Sequence, residues 1–252
     1  MNLFVPRLAL GVSLLVGACT PALVHTESPA QSMQLSQNSP EAMNPETFLD
    51  WGRQRTQIGD WQGAIANFQA AADGFAGQGD ETRQAMAEAI VRYLDWWLGW
   101  SDRQRESAEE VEMMPDWLSF GRCVEDQTGH VCGYSLQFVQ SDKDEIEGVL
   151  LLQNHIYDVP MATGGSYGVF GILAAEAVSP PLQGGESWIP FCERLDGEDS
   201  AMMAIVQTHG YEDADEYPEI REVWWVNLEE ESLEFQKSPS HIRCWNPCPG
   251  GC

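Results

Sequence analysis

Residues 131–139, VCGYSLQFV, alternate: Tyr134, Leu136 and Phe138 fall on one side of an extended chain, Gly133, Ser135 and Gln137 on the other. Successive side chains of an extended backbone point to opposite faces, so a period of two predicts a strand. Further strand candidates follow, separated by turn residues: IEGVLLLQ at 146–153, ESWIPFCE at 186–193, AMMAIVQT at 201–208, REVWWVNL at 221–228 and SLEFQ at 232–236. Short strands without intervening helices predict an antiparallel β-rich domain over residues 117–252, with sandwich and barrel both open.

Overlapping the start of that stretch lies CVEDQTGHVC, residues 123–132. A turn over Asp126–Gly129 would set Glu125 opposite His130, Val124 opposite Val131 and Cys123 opposite Cys132. Opposed cysteines in a non-hydrogen-bonded pair come within bridging distance. Closing so short a loop is worth about 2.5 kcal/mol in chain entropy.

N-terminal to Pro115 the period is 3.6. Phe48, Trp51 and Gly52 share a face, Gly59 stops a first helix, and Asp60 caps a second that aligns Trp61, Ala64, Ile65, Phe68 and Ala71. Phe48, Trp51, Gly52, Gly59, Asp60, Trp61, Ala64, Phe68 and Ala71 stand in a register that resembles the tetratricopeptide repeat, over residues 45–78. The resemblance implies two closely packed antiparallel helices. Arg55 and Ala76 depart from it, at positions where the family has an apolar residue and often a proline. A third helix is predicted from Glu81 to about Leu98, completing a helical module over 45–100, with 101–116 as a polar helix or connector. Fewer than three repeats cannot bury a continuous solenoid core, so this module must pack on something else. Tyr93, Trp96, Trp97 and Trp100 point to a seam with the following domain, in preference to a sugar-stacking platform. The fold class is thus α+β.

Residues 1–18 hold one charged side chain, Arg7, and an apolar run too short to span a bilayer, which reads as an export signal. Val16-Gly17-Ala18-Cys19 resembles the lipobox of bacterial lipoproteins, which implies cleavage before Cys19 and acylation of its thiol. An ordinary signal-peptidase site is the alternative. Residues 19–44 are rich in Ser, Gln, Pro and Asn without a hydrophobic period, as in a flexible tether. The seven cysteines favour the lipoprotein, because lipid on Cys19 leaves six that can pair.

Four of those six are Cys192, Cys244, Cys248 and Cys252. His241 with Cys244, Cys248 and Cys252 could in principle hold zinc. Export favours disulfides over that metal site. The expected pairs are Cys192 with Cys244, tying the tail to a strand, and Cys248 with Cys252; the other two connectivities stay open. No cofactor is expected.

The formal net charge of −26 excludes nucleic acid as a natural partner. Between Glu193 and Glu234 lie 14 acidic residues and two arginines. A solvated, repulsive surface is the simplest reading; a cationic partner or divalent ions is the functional one. Gly164-Gly165-Ser166-Tyr167-Gly168 matches G-x-S-x-G, with His209 and His241 downstream, and resembles the nucleophile elbow of serine hydrolases. Upstream there is no series of parallel strands, however, and Gly164-Gly165 suits a hairpin turn. The expectation is therefore a non-catalytic, lipid-anchored protein of the bacterial envelope that binds another envelope protein. A Ser166 hydrolase and an extracytoplasmic small-ligand or glycan binder are the alternatives.

Overall fold

A computed structural model describes residues 44–106, 115–124, 132–162, 164–196, 201–247 and 249. Three helices come first: α1 (Pro45–Gln57), α2 (Trp61–Gln78) and α3 (Glu81–Glu106). The Asn44 side chain accepts from the Glu46 N–H at the start of α1, and Asp60 accepts from the Gly63 N–H at the start of α2. Arg55 makes an ion pair with Asp60, so the departure from the repeat pattern ties the end of α1 to the cap of α2. Gly52 lets α1 and α2 touch: a Cβ there would lie 2.8 Å from the buried Phe68 ring. The helix α3 runs about two turns beyond the expected Leu98, into part of the predicted connector. The buried Ser101 bonds back to the Leu98 carbonyl, and Tyr167 donates to the Ser101 carbonyl.

Eleven strands follow among the described residues: β1 (Leu118–Val124), β2 (Tyr134–Gln140), β3 (Gly148–Pro160), β4 (Ser166–Val178), β5 (Glu186–Ile189), β6 (Cys192–Arg194), β7 (Met202–Gln207), β8 (Glu216–Tyr217), β9 (Ile220–Asn227), β10 (Ser232–Lys237) and β11 (Ile242–Trp245). They form three antiparallel sheets, ordered β1-β2-β3-β4, β10-β9-β7-β5 and β6-β11-β8. With the helices they stack as four layers around three apolar cores.

Strand alternation assigns each side chain to its core. Val139, Val149, Leu151 and Ile172 face the helices and meet Phe68, Ile90 and Leu94. Leu136, Phe138, Leu150 and Leu152 face the other way, against Met203, Ile205, Trp224 and Val226 of the second sheet. Met202, Ala204, Val206 and Val223 then face the third sheet, against Cys192, Tyr217, Ile242 and Cys244. The continuous apolar runs VLLL and MMAIV are therefore strands buried on both faces.

Aromatic side chains join the helical layer to its surroundings. Within the layer Trp61 of α2 packs on Trp97 of α3 at 4.7 Å between centroids; outward, Trp96 meets Trp117 at 6.1 Å and Trp100 meets Tyr167 at 5.0 Å. The buried Tyr93 hydroxyl accepts a 2.9 Å hydrogen bond from Gln153 on β3. The aromatic face of α3 is thus a seam with the first sheet.

Two expectations need correction. Cys123 and Cys132 are bonded, with Cα atoms 4.3 Å apart, but they are not ladder partners. The register places Cys123 opposite Ser135 and Val124 opposite Tyr134, three residues along from the expected hairpin. The long β2–β3 ladder holds β2, and Cys132 lies before it at φ 66°. Secondly, ESWIPFCE is two strands in two sheets. Pro190 has no N–H for the ladder, and the chain leaves the second sheet after Ile189 and joins the third at Cys192.

Candidate functional site

The third sheet is the outermost layer, and its outer face carries an exposed aromatic patch. β11 is its central strand, paired with β6 on one side and β8 on the other. The Cys192–Cys244 disulfide locks β6 to β11, with Cα atoms 4.0 Å apart, and both cysteines are buried in the third core. With these cysteines turned inward, the alternation sends Phe191, Glu193, Leu195, Arg243 and Trp245 outward. Phe191 is 51% exposed, Leu195 59% and Trp245 37%.

The ladder orders this face into rungs. The Trp245 N–H bonds to the Phe191 carbonyl at 2.8 Å, Arg243 opposes Glu193, and the Leu195 N–H bonds to the His241 carbonyl at 2.9 Å. The Arg243 guanidinium lies 4.2 Å from the centroid of the Trp245 ring, a cation–π contact. The same group makes ion pairs with Glu193 and with Glu216, the latter at 3.6 Å. The Glu193 hydrogen bond raises the pKa of Arg243, keeping it charged.

Carboxylates surround the patch. The loop carrying Glu212, Asp213 and Asp215 is tied to the end of β11, because the Asn246 N–H donates to the Asp215 carbonyl and the Asn246 amide to the Glu212 carbonyl. Hydrogen bonds from its own N–H and that of Gly210 hold the Glu212 carboxyl below the usual range. Asp196 flanks Leu195 and pairs with Arg194. Glu193, Asp196, Glu212, Asp213, Asp215 and Glu216 thus stand against Arg194 and Arg243, leaving a net negative rim.

The face was not recognised from sequence, although ESWIPFCE contains a strand signal. Once Cys192 and Cys244 are known to be bonded and inward, alternation alone assigns Phe191, Leu195 and Trp245 to the opposite side. The bonded pair of cysteines was legible; which side of them stays uncovered was not.

Ser166 opens β4 opposite Pro160, at the exposed end of the β3–β4 hairpin. Gly164 and Gly165, at φ 90° and 84°, form the turn, and a strand follows Ser166, where a nucleophile elbow would enter a helix. His209 lies in an exposed loop, 3.4 Å from Glu212, and His241 sits just before β11. The structure does not bring Ser166 and these histidines together in any hydrogen bond among the described residues. The bond to Cys192 removes Cys244 from the considered zinc set. Cys19, Cys248 and Cys252 lie outside the described residues, and with them the Cys248–Cys252 pairing.

Two other surfaces are less informative. Trp51 is exposed on α1 and Ile58 just after it, with Tyr157 near the following turn; charges of both signs lie there, Asp50 paired with Arg53 and Arg55 with Asp60. A cleft of about 400 Å³ is lined by Glu186, Gln207, Glu219 and Arg221. Arg221 is engaged within the fold, by Glu186 and by the Pro180 carbonyl at 3.2 Å, and Glu219 accepts from Tyr211.

No family model, no curated protein and no solved structure matches this chain. Among the described residues, no helix is long and apolar enough to cross a membrane. The two disulfides suit an oxidising, extracytoplasmic compartment.

Proposed function

We propose that this chain is a non-catalytic binding protein of the bacterial cell envelope, anchored by lipid on Cys19 and presenting the outer face of its third sheet to another envelope protein. The helical hairpin, with Gly52 against Phe68 and Trp61 in the seam, serves as a single tetratricopeptide-like unit that supports the first sheet. The observation carrying the binding role is the trio Phe191, Leu195 and Trp245, exposed on a disulfide-locked sheet. Phe191 and Trp245 adjoin on one rung, with Leu195 at the other end of the face; exposed large apolar side chains held on one rigid surface mark contact sites, and Trp and Arg dominate the energetics of such contacts. Lipidation is supported by the lipobox-like VGAC and by the odd cysteine count.

Three measurements test the reading. Cys19→Ser should abolish detergent-phase partitioning of the full chain; unchanged partitioning removes the lipid anchor. An envelope protein should co-purify stoichiometrically with the full chain, be lost with Phe191→Ser/Trp245→Ser, and be retained with Trp51→Ser. Co-purification indifferent to the sheet variant removes this face from function. Fluorophosphonate labelling that vanishes in Ser166→Ala would replace binding by hydrolysis.

A further inference from the structure

We infer that the occupant of the third sheet's outer face is a basic protein segment that carries apolar anchors, rather than a neutral surface, a lipid or a second copy of this chain. The inference deepens the binding role proposed above and rests on it. Three features of the face decide the chemistry.

The anchors come first. Phe191 and Trp245 form one exposed rung, and Leu195 ends the face four residues further along the chain, just past β6, roughly 13 Å away at the rise of an antiparallel strand. An extended or helical segment with two apolar side chains spans that distance. Between the anchors the face is ionic, because Arg243 and Glu193 occupy the middle rung.

The charge of the rim comes second. Arg243 is already held by Glu193, Glu216 and the Trp245 ring, and Arg194 is paired with Asp196. Both local guanidiniums are therefore engaged within the fold. Glu212, Asp213 and Asp215 border the Trp245 end from a loop fastened to Asn246, and among the described residues no lysine or arginine is paired with them; the His209 ring lies 3.4 Å from Glu212. A partner that covers Trp245 must come close to these carboxylates. An acidic or neutral partner would desolvate them without compensation, whereas lysine or arginine would pair with them.

The charge of the whole chain comes third. At a net −26, a second copy brings the same acidic rim to the same acidic rim, and an anionic lipid surface is repelled likewise. The complementarity points to a cationic polypeptide.

The test uses the oxidised full chain in detergent and three peptides of equal length, alternating lysine with leucine, lysine with serine, and glutamate with leucine. Calorimetric titration should show the lysine–leucine peptide binding at least about tenfold more tightly than either other peptide. Attraction to the overall charge alone predicts equal binding of the lysine–serine peptide, which would overturn the inference, as would equal binding of the glutamate–leucine peptide. Phe191→Ser/Leu195→Ser should weaken the lysine–leucine peptide about tenfold, and Trp51→Ser should leave it unchanged; the reverse pattern assigns binding elsewhere. Asp213→Asn/Asp215→Asn, on an exposed loop that leaves the core untouched, should weaken it as well, and unaltered affinity rejects the role of the rim. Self-association that Leu195→Ser abolishes, or binding of this face to phosphatidylcholine vesicles, would assign it to a second copy or to lipid. Co-purification that depends on the sheet without a lysine–leucine preference rejects the basic partner yet leaves the binding role standing. Co-purification that ignores the sheet rejects both.

Discussion

The hydroxyl of Thr56, in the last turn of α1, accepts a 2.9 Å hydrogen bond from the backbone N–H of Ile172 on β4. β4 is an edge of the first sheet, and an edge strand exposes unpaired backbone groups that invite foreign strands. Gln57 completes the cover by donating to the Ile172 carbonyl at 3.0 Å. The end of a helix thus takes the place of a fifth strand where β4 passes beneath it at Ile172.

Replacing Thr56 by valine preserves the shape and leaves the buried Ile172 N–H without an acceptor. The expected loss is about 1–3 kcal/mol, the cost of an unsatisfied buried donor. Thr56→Ser retains the oxygen and should stay well above valine in stability. Urea unfolding of the three proteins measures the order; valine equal to wild type would show that water replaces the hydroxyl.

Gly52 and Gly77 make a paired test of helix packing. Alanine is the better helix former at both positions, yet at Gly52 its Cβ would lie 2.8 Å from a buried Phe68 ring, while at Gly77 it meets nothing within 4 Å. Gly52→Ala should destabilise by about 1–3 kcal/mol through overpacking. Gly77→Ala should stabilise by up to about 1 kcal/mol. Thermal melts that rank the two variants the other way would reject the close approach of α1 to α2.

The two disulfides should differ in worth. Cys192–Cys244 closes a sequence separation of 52 residues and Cys123–Cys132 one of 9. Loop-closure entropy assigns them about 4 and about 2.5 kcal/mol respectively. Cys192→Ala/Cys244→Ala should therefore unfold at clearly lower denaturant than Cys123→Ala/Cys132→Ala. Equal midpoints would show that the third sheet does not need its lock.

Burial lifts the Tyr93 hydroxyl to about 12, with the Gln153 hydrogen bond acting in the opposite direction. An unfolded tyrosine titrates near 10, so between these values the folded state keeps a proton that the unfolded state loses. The stabilisation is complete below pH 10 and falls as pH rises to 12, by on the order of 2–3 kcal/mol. Tyr93→Phe lacks this slope. Its stability deficit relative to wild type, measured by denaturant unfolding across pH 9–12, should shrink as pH rises; a constant deficit would contradict the assignment.

Local periodicity determined a good deal of this protein. The 3.6 period with Asp60 as a cap set the first helices, the period of two set β2 and the shared side of Leu136 and Phe138, and turn residues marked off the apolar runs of several other strands. Gly164-Gly165 marked the β3–β4 turn, because few other residues adopt positive φ. The bond between Cys192 and Cys244 was the favoured one of three connectivities, on the strand signal around Cys192. All of these are properties of a chain segment and its immediate neighbours.

The layers were decided elsewhere. Runs such as VLLL and MMAIV lack alternation because both their faces are buried, so they carry no record of which layer lies on which side. The register that moves Cys123 opposite Ser135 comes from pairing along the whole of β1 and β2. The break at Pro190 acquires meaning only when a second sheet stands ready to receive Cys192. IRCW, at 242–245, reads as part of a polar tail until β6 and β8 pair on either side of it. The candidate site follows the same rule: Phe191, Leu195 and Trp245 have the apolarity of core residues, and they are exposed because, among the described residues, stacking ends at the third sheet.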